Sequence, residues 1–309
     1  MKYLKVIVIV GPTGVGKTET SIEIAQKLGG EIVSADSMQI YRGMDILTAK
    51  PSKEEMALVP HHMIDIADVF ETFSAAKFAK EATKCIDDIL QRGKLPVIVG
   101  GTGLYVDSLL GEYSFGKIKS DGKIREKYEK IALEKGNEYL HSLLKDIDPK
   151  SYETIHFNNV KRVIRALEIY EITGKSQTEN NAEKKKTKPK YDSVKICLTR
   201  DRQKLYERID MRVDQMLKNG LVNEVKLLYN GKKKLSETAY SAIGCKEIIY
   251  YLKGLATYDE TVSILKRESR RYAKRQLTWF KKSENLTWFD MDKCTKEDIL
   301  KFVQKEISQ

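Results

Sequence analysis

Residues Gly11 to Thr18 read Gly-Pro-Thr-Gly-Val-Gly-Lys-Thr, matching G-x-x-x-x-G-K-[ST] at every fixed position. The apolar run Val6-Ile7-Val8-Ile9-Val10 precedes this segment, and an amphipathic stretch from Thr18 to Leu28 follows it. A strand that turns sharply into a helix leaves few architectures open. Successive amide groups of a glycine-rich turn, together with the helix N-terminus, form an anion cradle. A strand that follows a helical crossover runs parallel to the first, so the motif also forecasts a parallel sheet.

The alternation continues through the first 113 residues. Strands are predicted near 4–10, 31–35, 62–66 and 95–99, with helices between them. Over 74–91, Ala75, Phe78, Ala79, Ala82, Ile86 and Ile89 recur at helical spacing. The expected class is α/β, a P-loop NTPase-like parallel sheet flanked by helices, with ligands beyond the carboxyl ends of the strands. Three turns lie at such ends: 11–18, 34–41, and Gly100-Gly101-Thr102-Gly103.

After Tyr113 the strands vanish, and helical segments are predicted over 124–135, 138–145 and 160–172. A charged, proline-containing run at 183–190 reads as a solvated connector. The organisation expected is a core of residues 1–113 and 190–309 interrupted by an all-helical insertion over 114–189. A strand-like segment at 194–199 resumes the sheet, followed by helices over 205–217, 222–229 and 260–282.

The net charge of +11 is unevenly placed. Residues 1–113 hold 12 Lys/Arg against 15 Asp/Glu, whereas residues 114–309 hold 43 against 29. A partner with a phosphate backbone accounts for such a bias; a generic basic surface is the alternative. Apolar residues make up 41%, with no run approaching the ~20 of a membrane span. Because Met1-Lys2-Tyr3 leads straight into the first strand, no secretory signal is read, and a cytoplasmic, soluble protein is expected. Cys85, Cys197, Cys245 and Cys294 are too far apart for a C-x-x-C site and read as reduced thiols.

Within the loop, Gly11, Pro12, Thr13, Gly14, Val15, Gly16, Lys17 and Thr18 are the expected diphosphate contacts. Lys17 supplies the point charge, Thr18 a hydroxyl for Mg²⁺, and Thr13 an additional side-chain contact. Motor and signalling ATPases add an apolar strand ending in an acid, but the 95–99 run ends in Gly-Gly-Thr-Gly, which argues against hydrolysis. The acid on offer is Asp36, placed to accept a proton from a nucleophile; a turn-forming aspartate is the alternative. Arg208 and Arg212 share a helix face, and either is suited to close over a diphosphate, with ion pairs to Glu207, Asp210 and Asp214 as the rival reading.

Two basic faces stand out: Arg267, Arg270 or Arg271, and Lys274 along the 266–282 helix, and Lys161, Arg162 and Arg165 in the insertion. Both suit phosphate tracking. Tyr272, Leu277, Trp279 and Phe280 read as core anchors. His61-His62 lacks a suitably spaced partner and reads as structural.

These motifs together resemble the tRNA dimethylallyltransferase (tRNA isopentenyltransferase) family along nearly the whole chain. The similarity is carried by GPTGVGKT at 11–18, SADSMQIYRGMDILTAKP at 34–51, PHHMID at 60–65, GGTGLY at 100–105, KRVIRALE at 161–168 and YAKRQLTWF at 272–280. The resemblance implies transfer of a dimethylallyl group from dimethylallyl diphosphate to the exocyclic amine of the adenine beside the tRNA anticodon, with diphosphate released. It implies Asp36 as general base, Lys17, Thr18 and the loop amides as diphosphate anchors with Mg²⁺, and Arg212 near the diphosphate. Asp36, Ser37, Met38 and Gln39 would surround the adenine. Thr102, Arg125, Lys161, Arg162, Arg165, Ser241, Gly244 and Lys246 match positions that face tRNA, and Arg271 and Lys274 are expected to join them. The expected partners are the tRNA anticodon stem-loop and dimethylallyl diphosphate, with no membrane, for a monomeric protein.

Three rivals remain at this stage. A P-loop kinase of a nucleoside or small alcohol would use ATP at the same loop and Asp36 to activate a hydroxyl. A free-adenylate isopentenyltransferase would need no tRNA-facing segments. An RNA-binding module with a degenerate loop would need neither Asp36 nor an intact Lys17-Thr18 pair.

Overall fold

A computed structural model of the chain describes residues 5–111, 118, 121–182, 189–231 and 233–308. Six strands, β1 (Lys5–Val10), β2 (Gly30–Ser34), β3 (His61–His62), β4 (Leu95–Gly100), β5 (Asp192–Thr199) and β6 (Thr287–Asp290), form one parallel sheet in the order β3-β2-β4-β1-β5-β6. The two-residue period of a strand sends neighbouring side chains to opposite faces. Val6, Val8 and Val10 accordingly enter one apolar core with Val33 and Ile98, while Ile7 and Ile9 enter another with Ile32, Val97 and Ile196. Both faces are covered by helices, which is why these strands are apolar throughout rather than alternating.

The strand order fixes where a ligand binds. From β1 the chain passes to β2 and β3, returns to lay β4 between β2 and β1, and then leaves on the other side through β5 and β6. The carboxyl ends of β2, β4 and β1 therefore lie side by side at the point where the winding reverses. Open α/β sheets part their loops there and leave a crevice.

Two compact units are present, residues 1–113 with 189–309, and residues 114–188. The second is all-helical over its described residues and has its own core of Tyr128, Leu140, Leu144, Val163, Ile164, Ala166 and Leu167. Within it, the helix Val160–Thr173 carries the fully buried Glu168. That carboxylate accepts from the Asp121 amide (2.8 Å), Arg125 Nε (2.9 Å) and Arg165 Nη1. A buried charge survives when it is paired and hydrogen-bonded, and these donors satisfy both conditions.

Three segments depart from the sequence reading. The strand expected at 62–66 stops at His62 because Met63 (φ 65°) and Asp65 (φ 55°) take left-handed backbone, which turns the chain out of the sheet. Strand β6 and the helix Lys296–Ser308 were not read from the sequence. β6 is four residues long, partly exposed and paired on one side only, so it shows neither an apolar run nor clean alternation. Residues 183–188 of the expected connector lie outside the described residues.

Candidate active site

β1 ends at Val10, and the helix Lys17–Leu28 begins after Gly16, whose φ of 111° belongs to the left-handed region that favours glycine. Lys17 folds back over its own loop, its Nζ donating to the Gly11 and Pro12 carbonyls at 3.0 and 2.8 Å. Burial, and next the charge of Arg212, push the Lys17 ammonium down to about 8, with Asp36 opposing. Arg212 comes from the helix Arg202–Lys218 and donates from Nη1 to Thr13 Oγ1 at 3.2 Å. Burial lowers its pKa as well, against the pull of Asp36. Among the described residues neither cation has an ion-pair partner within 4.0 Å. Two desolvated positive charges facing a single carboxylate, Asp36, with no direct ion pair make a site that gains by taking in an anion.

Arg208 and Arg212 are thereby told apart. Arg208 also borders the cavity, but it is exposed and its Nε donates to the Gly14 carbonyl at 2.9 Å. Arg212 is the one turned inward, toward Lys17 and Asp36.

At the end of β2, Asp36 Oδ1 accepts from the amides of Met38 (2.8 Å) and Gln39 (3.4 Å). This is the turn-forming aspartate that the sequence offered as an alternative, and yet its carboxylate also lines the central cavity. That cavity measures about 760 Å³, and Lys17, Thr18, Asp36 and Arg212 share its wall. Turn formation occupies one carboxylate oxygen; Oδ2 takes no hydrogen bond among the described residues. The next residue is steadied across β4: the Ser37 amide donates to Thr102 Oγ1 at 3.2 Å. Gln39 is held too, its Oε1 accepting from Ser34 Oγ at 3.0 Å.

Tyr272, read from the sequence as a core anchor, instead lines this cavity from the helix Tyr258–Phe280. Burial, and then the nearby Asp36 charge, raise its phenol to about 12. Phe280 does anchor one core, with Trp279 packed against it, while Leu277 packs against the core on the other face of the sheet. The basic stripe on this helix is narrower than its spacing suggests. Arg270 turns toward the Arg202–Lys218 helix and pairs with both oxygens of Asp210 at 2.6 Å, whereas Arg271 and Lys274 face outward. Arg271 carries an i,i−3 pair with Glu268.

One residue that sequence reasoning missed ties these parts together. Gln276, buried, accepts from the Thr13 amide through Oε1 and donates from Nε2 to the Gly101 carbonyl, both at 2.9 Å. It bridges the phosphate loop to the Gly-Gly-Thr-Gly turn. The glycines of that turn follow from this contact: a Cβ on Gly101 would lie 2.0 Å from Gln276 Nε2, and one on Gly103 would lie 2.2 Å from the Trp279 ring. The sequence signal was the co-occurrence of the 100–105 and 272–280 motifs, which by itself named no contact. Glu224 was missed likewise; it accepts from the Asp45, Ile46 and Leu47 amides at 2.8–2.9 Å and fixes the segment that follows Gln39.

The remaining candidates fall into two groups. Ser241 lines the cavity with Ala242 and Ile243, Gly244 precedes the helix Cys245–Leu252, and Lys246 is exposed on that helix. In the helical unit, Lys161 and Arg162 are exposed, while Arg125 and Arg165 are engaged with Glu168. His61 Nδ1 lies 2.7 Å from the Val59 carbonyl and His62 Nε2 lies 2.7 Å from Glu31, so both have structural partners. Among the described residues no group of three or more His, Cys, Asp or Glu is placed to hold a metal, and no helix is long and apolar enough to cross a membrane.

The IPP transferase family model matches residues 39–283. The chain belongs to the IPP transferase family. That match begins after the phosphate loop and Asp36, but similarity to whole relatives includes both. A tRNA dimethylallyltransferase of Acetivibrio thermocellus is 51% identical over 293 residues, covering 95% of this chain and 94% of its own length. One from Bacillus anthracis is 50% identical over 308 residues, with 99% and 98% covered. The crystal structure of a tRNA isopentenylpyrophosphate transferase from Bacillus halodurans superposes with a TM-score of 0.72 at 47% identity, covering 98% of this chain and 97% of that one. A eukaryotic dimethylallyltransferase described as acting on tRNA gives a TM-score of 0.82 at 33% identity, covering 99% and 80%. As an IPP transferase, the protein is a group-transfer enzyme, and Lys17, Thr18, Asp36 and Arg212 line one cavity of its sheet domain.

Proposed function

We propose that this protein transfers the dimethylallyl group of dimethylallyl diphosphate to the exocyclic amine of the adenine beside the tRNA anticodon, releasing diphosphate. The observation that carries this reading is one cavity of about 760 Å³ with the phosphate loop, Arg212 and Asp36 on its wall. The volume lies in the range typical of ligand sites and suits a prenyl diphosphate together with a purine ring.

As the allylic C–O bond breaks, negative charge gathers on the departing diphosphate. Lys17 and Arg212, already desolvated, together with the loop amides, stabilise that charge more in the transition state than in the ground state. The adenine nitrogen forms the new C–N bond and loses its proton, which Asp36 accepts. The amine is too weak an acid to ionise beforehand, so proton removal accompanies bond formation. Thr18 lines the cavity beside Asp36 and its hydroxyl takes no hydrogen bond among the described residues, which fits Mg²⁺ arriving with the diphosphate. Such an ion would be held mainly by phosphate oxygens and would neutralise leaving-group charge. A buried, stacked base does not reach this cavity, so the adenine leaves its stack, at a cost of a few kcal/mol that is smallest in a loop. The basic bias of residues 114–309 supplies the phosphate contacts that offset it. The same reading takes the enzyme to act in the cytoplasm as a monomer, as expected from the sequence.

The test incubates purified protein with unmodified tRNA and either labelled dimethylallyl diphosphate or γ-labelled ATP. Prenyl transfer to tRNA is expected, falling by about 10² to 10⁴ in Asp36→Asn, which keeps the turn but not the base. Phosphate transfer without prenyl transfer overturns the proposal in favour of a kinase.

A further inference from the structure

We propose that a strip of exposed lysines and aromatic rings beside the cavity is a track for unpaired nucleotides of the tRNA, an inference that rests on the tRNA reading above. It starts at Ser241–Ile243, which line the cavity, and runs along the helix Cys245–Leu252. Lys246, Tyr250 and Lys253 follow at i, i+4 and i+7 and therefore share one side, while Ile248 and Ile249 are buried on the other. Lys246 lies 6.0 Å from the Tyr250 ring centroid, and Lys253 reaches 5.4 Å from the ring of Tyr229 on the neighbouring helix Leu221–Tyr229. Just past Tyr229, Gly231 lies against Phe70, over whose ring Lys233 sits at 5.9 Å.

The rings are not core residues seen at an edge. Tyr229, Tyr250 and Phe70 are 40%, 43% and 40% exposed. Residues 226–258 carry six lysines against two acidic side chains. Leu227 and Leu255 are exposed in the same stretch, but a surface with this excess of one charge suits a phosphate backbone better than a protein partner. Interleaved cations and exposed aromatic rings are how single-stranded nucleic acid is held, phosphates by the lysines and bases by the rings, with each stacking base displacing the lysine now over its ring. Duplex RNA offers no free base face, so the occupant is the unpaired loop that flanks the reacting adenine.

The test uses the full chain with Tyr229→Ala, Tyr250→Ala, Tyr250→Phe and Lys253→Ala, each checked for unchanged thermal unfolding. Each Tyr→Ala variant should raise KM for tRNA by about tenfold, leaving KM for dimethylallyl diphosphate and kcat at saturating tRNA unmoved, and Tyr250→Phe should restore it. Lys253→Ala should reduce the slope of log affinity against log salt by about 0.7 to 0.9. Wild-type transfer with tRNA parameters unmoved in every variant overturns this inference and leaves the strip to a protein partner. A wild-type enzyme that prenylates no tRNA overturns the proposed function instead.

Discussion

Lys17 links pH to diphosphate binding in a direction the structure fixes. Its ammonium is displaced from 10.5 to about 8 by burial and by Arg212. That displacement corresponds to roughly 3 kcal/mol spent on keeping a proton in a desolvated site beside another cation. A bound diphosphate supplies the missing negative charge and returns the pKa toward its ordinary value, so binding takes up a proton wherever free Lys17 has lost one. Affinity is therefore at its plateau below about pH 8 and falls as pH rises through it. With a free-enzyme pKa of 8, the weakening factor 1 + 10^(pH − 8) is about 2 at pH 8 and about 11 at pH 9. Calorimetric titration with dimethylallyl diphosphate at fixed Mg²⁺, in buffers of differing ionisation enthalpy, measures both affinity and proton uptake. Uptake should reach about half a proton at pH 8 and about 0.9 at pH 9. Lys17→Ala should bind weakly at all pH values with no such uptake. Wild-type affinity that stays flat from pH 7 to 9.5, with no proton uptake, refutes the reasoning.

Further outcomes follow from particular contacts. Gly101→Ala should weaken the enzyme by pushing the Gln276 amide out of its bridge, and Gln276→Ala should destabilise it by about 2 kcal/mol through the unpaired Thr13 amide and Gly101 carbonyl. The double variant should be less damaged than the sum of the two, and strict additivity in denaturant unfolding would show that the glycine is required for another reason. Glu31 is held near pH 2, chiefly by hydrogen bonds from Arg92, so it stabilises the fold above its ordinary pKa of 4.5 and the contribution disappears as pH falls toward 2. Glu31→Gln should cost about 1–2 kcal/mol at pH 7 and almost nothing at pH 2; an equal cost at both values, read from unfolding curves, contradicts this account.

Much of the sheet was legible because its strands are buried on both faces and read as unbroken apolar runs bounded by turn residues. The phosphate loop, Asp36 and the Gly-Gly-Thr-Gly turn were each visible as turns following such runs. Strand β6 was not, since a short edge strand has little burial to pattern it. The two basic faces were legible as composition only, because helical spacing does not say which side meets a neighbour: Arg270 turned to Asp210, and Arg165 turned to Glu168.

By itself the sequence determined the local chemistry: a loop of amides with Lys17 and Thr18, an aspartate at the end of a strand, and an arginine pair on a helix. These follow from backbone conformation and neighbouring residues. Only tertiary structure decided that Asp36, Lys17 and Arg212 share one cavity, that Arg212 is the buried arginine there while Arg208 stays exposed at its rim, and that Gln276 reaches Gly101, 175 residues away in the chain. Strand order and helix packing set those distances, and both arise from burying the whole set of apolar faces at once, which no single segment encodes.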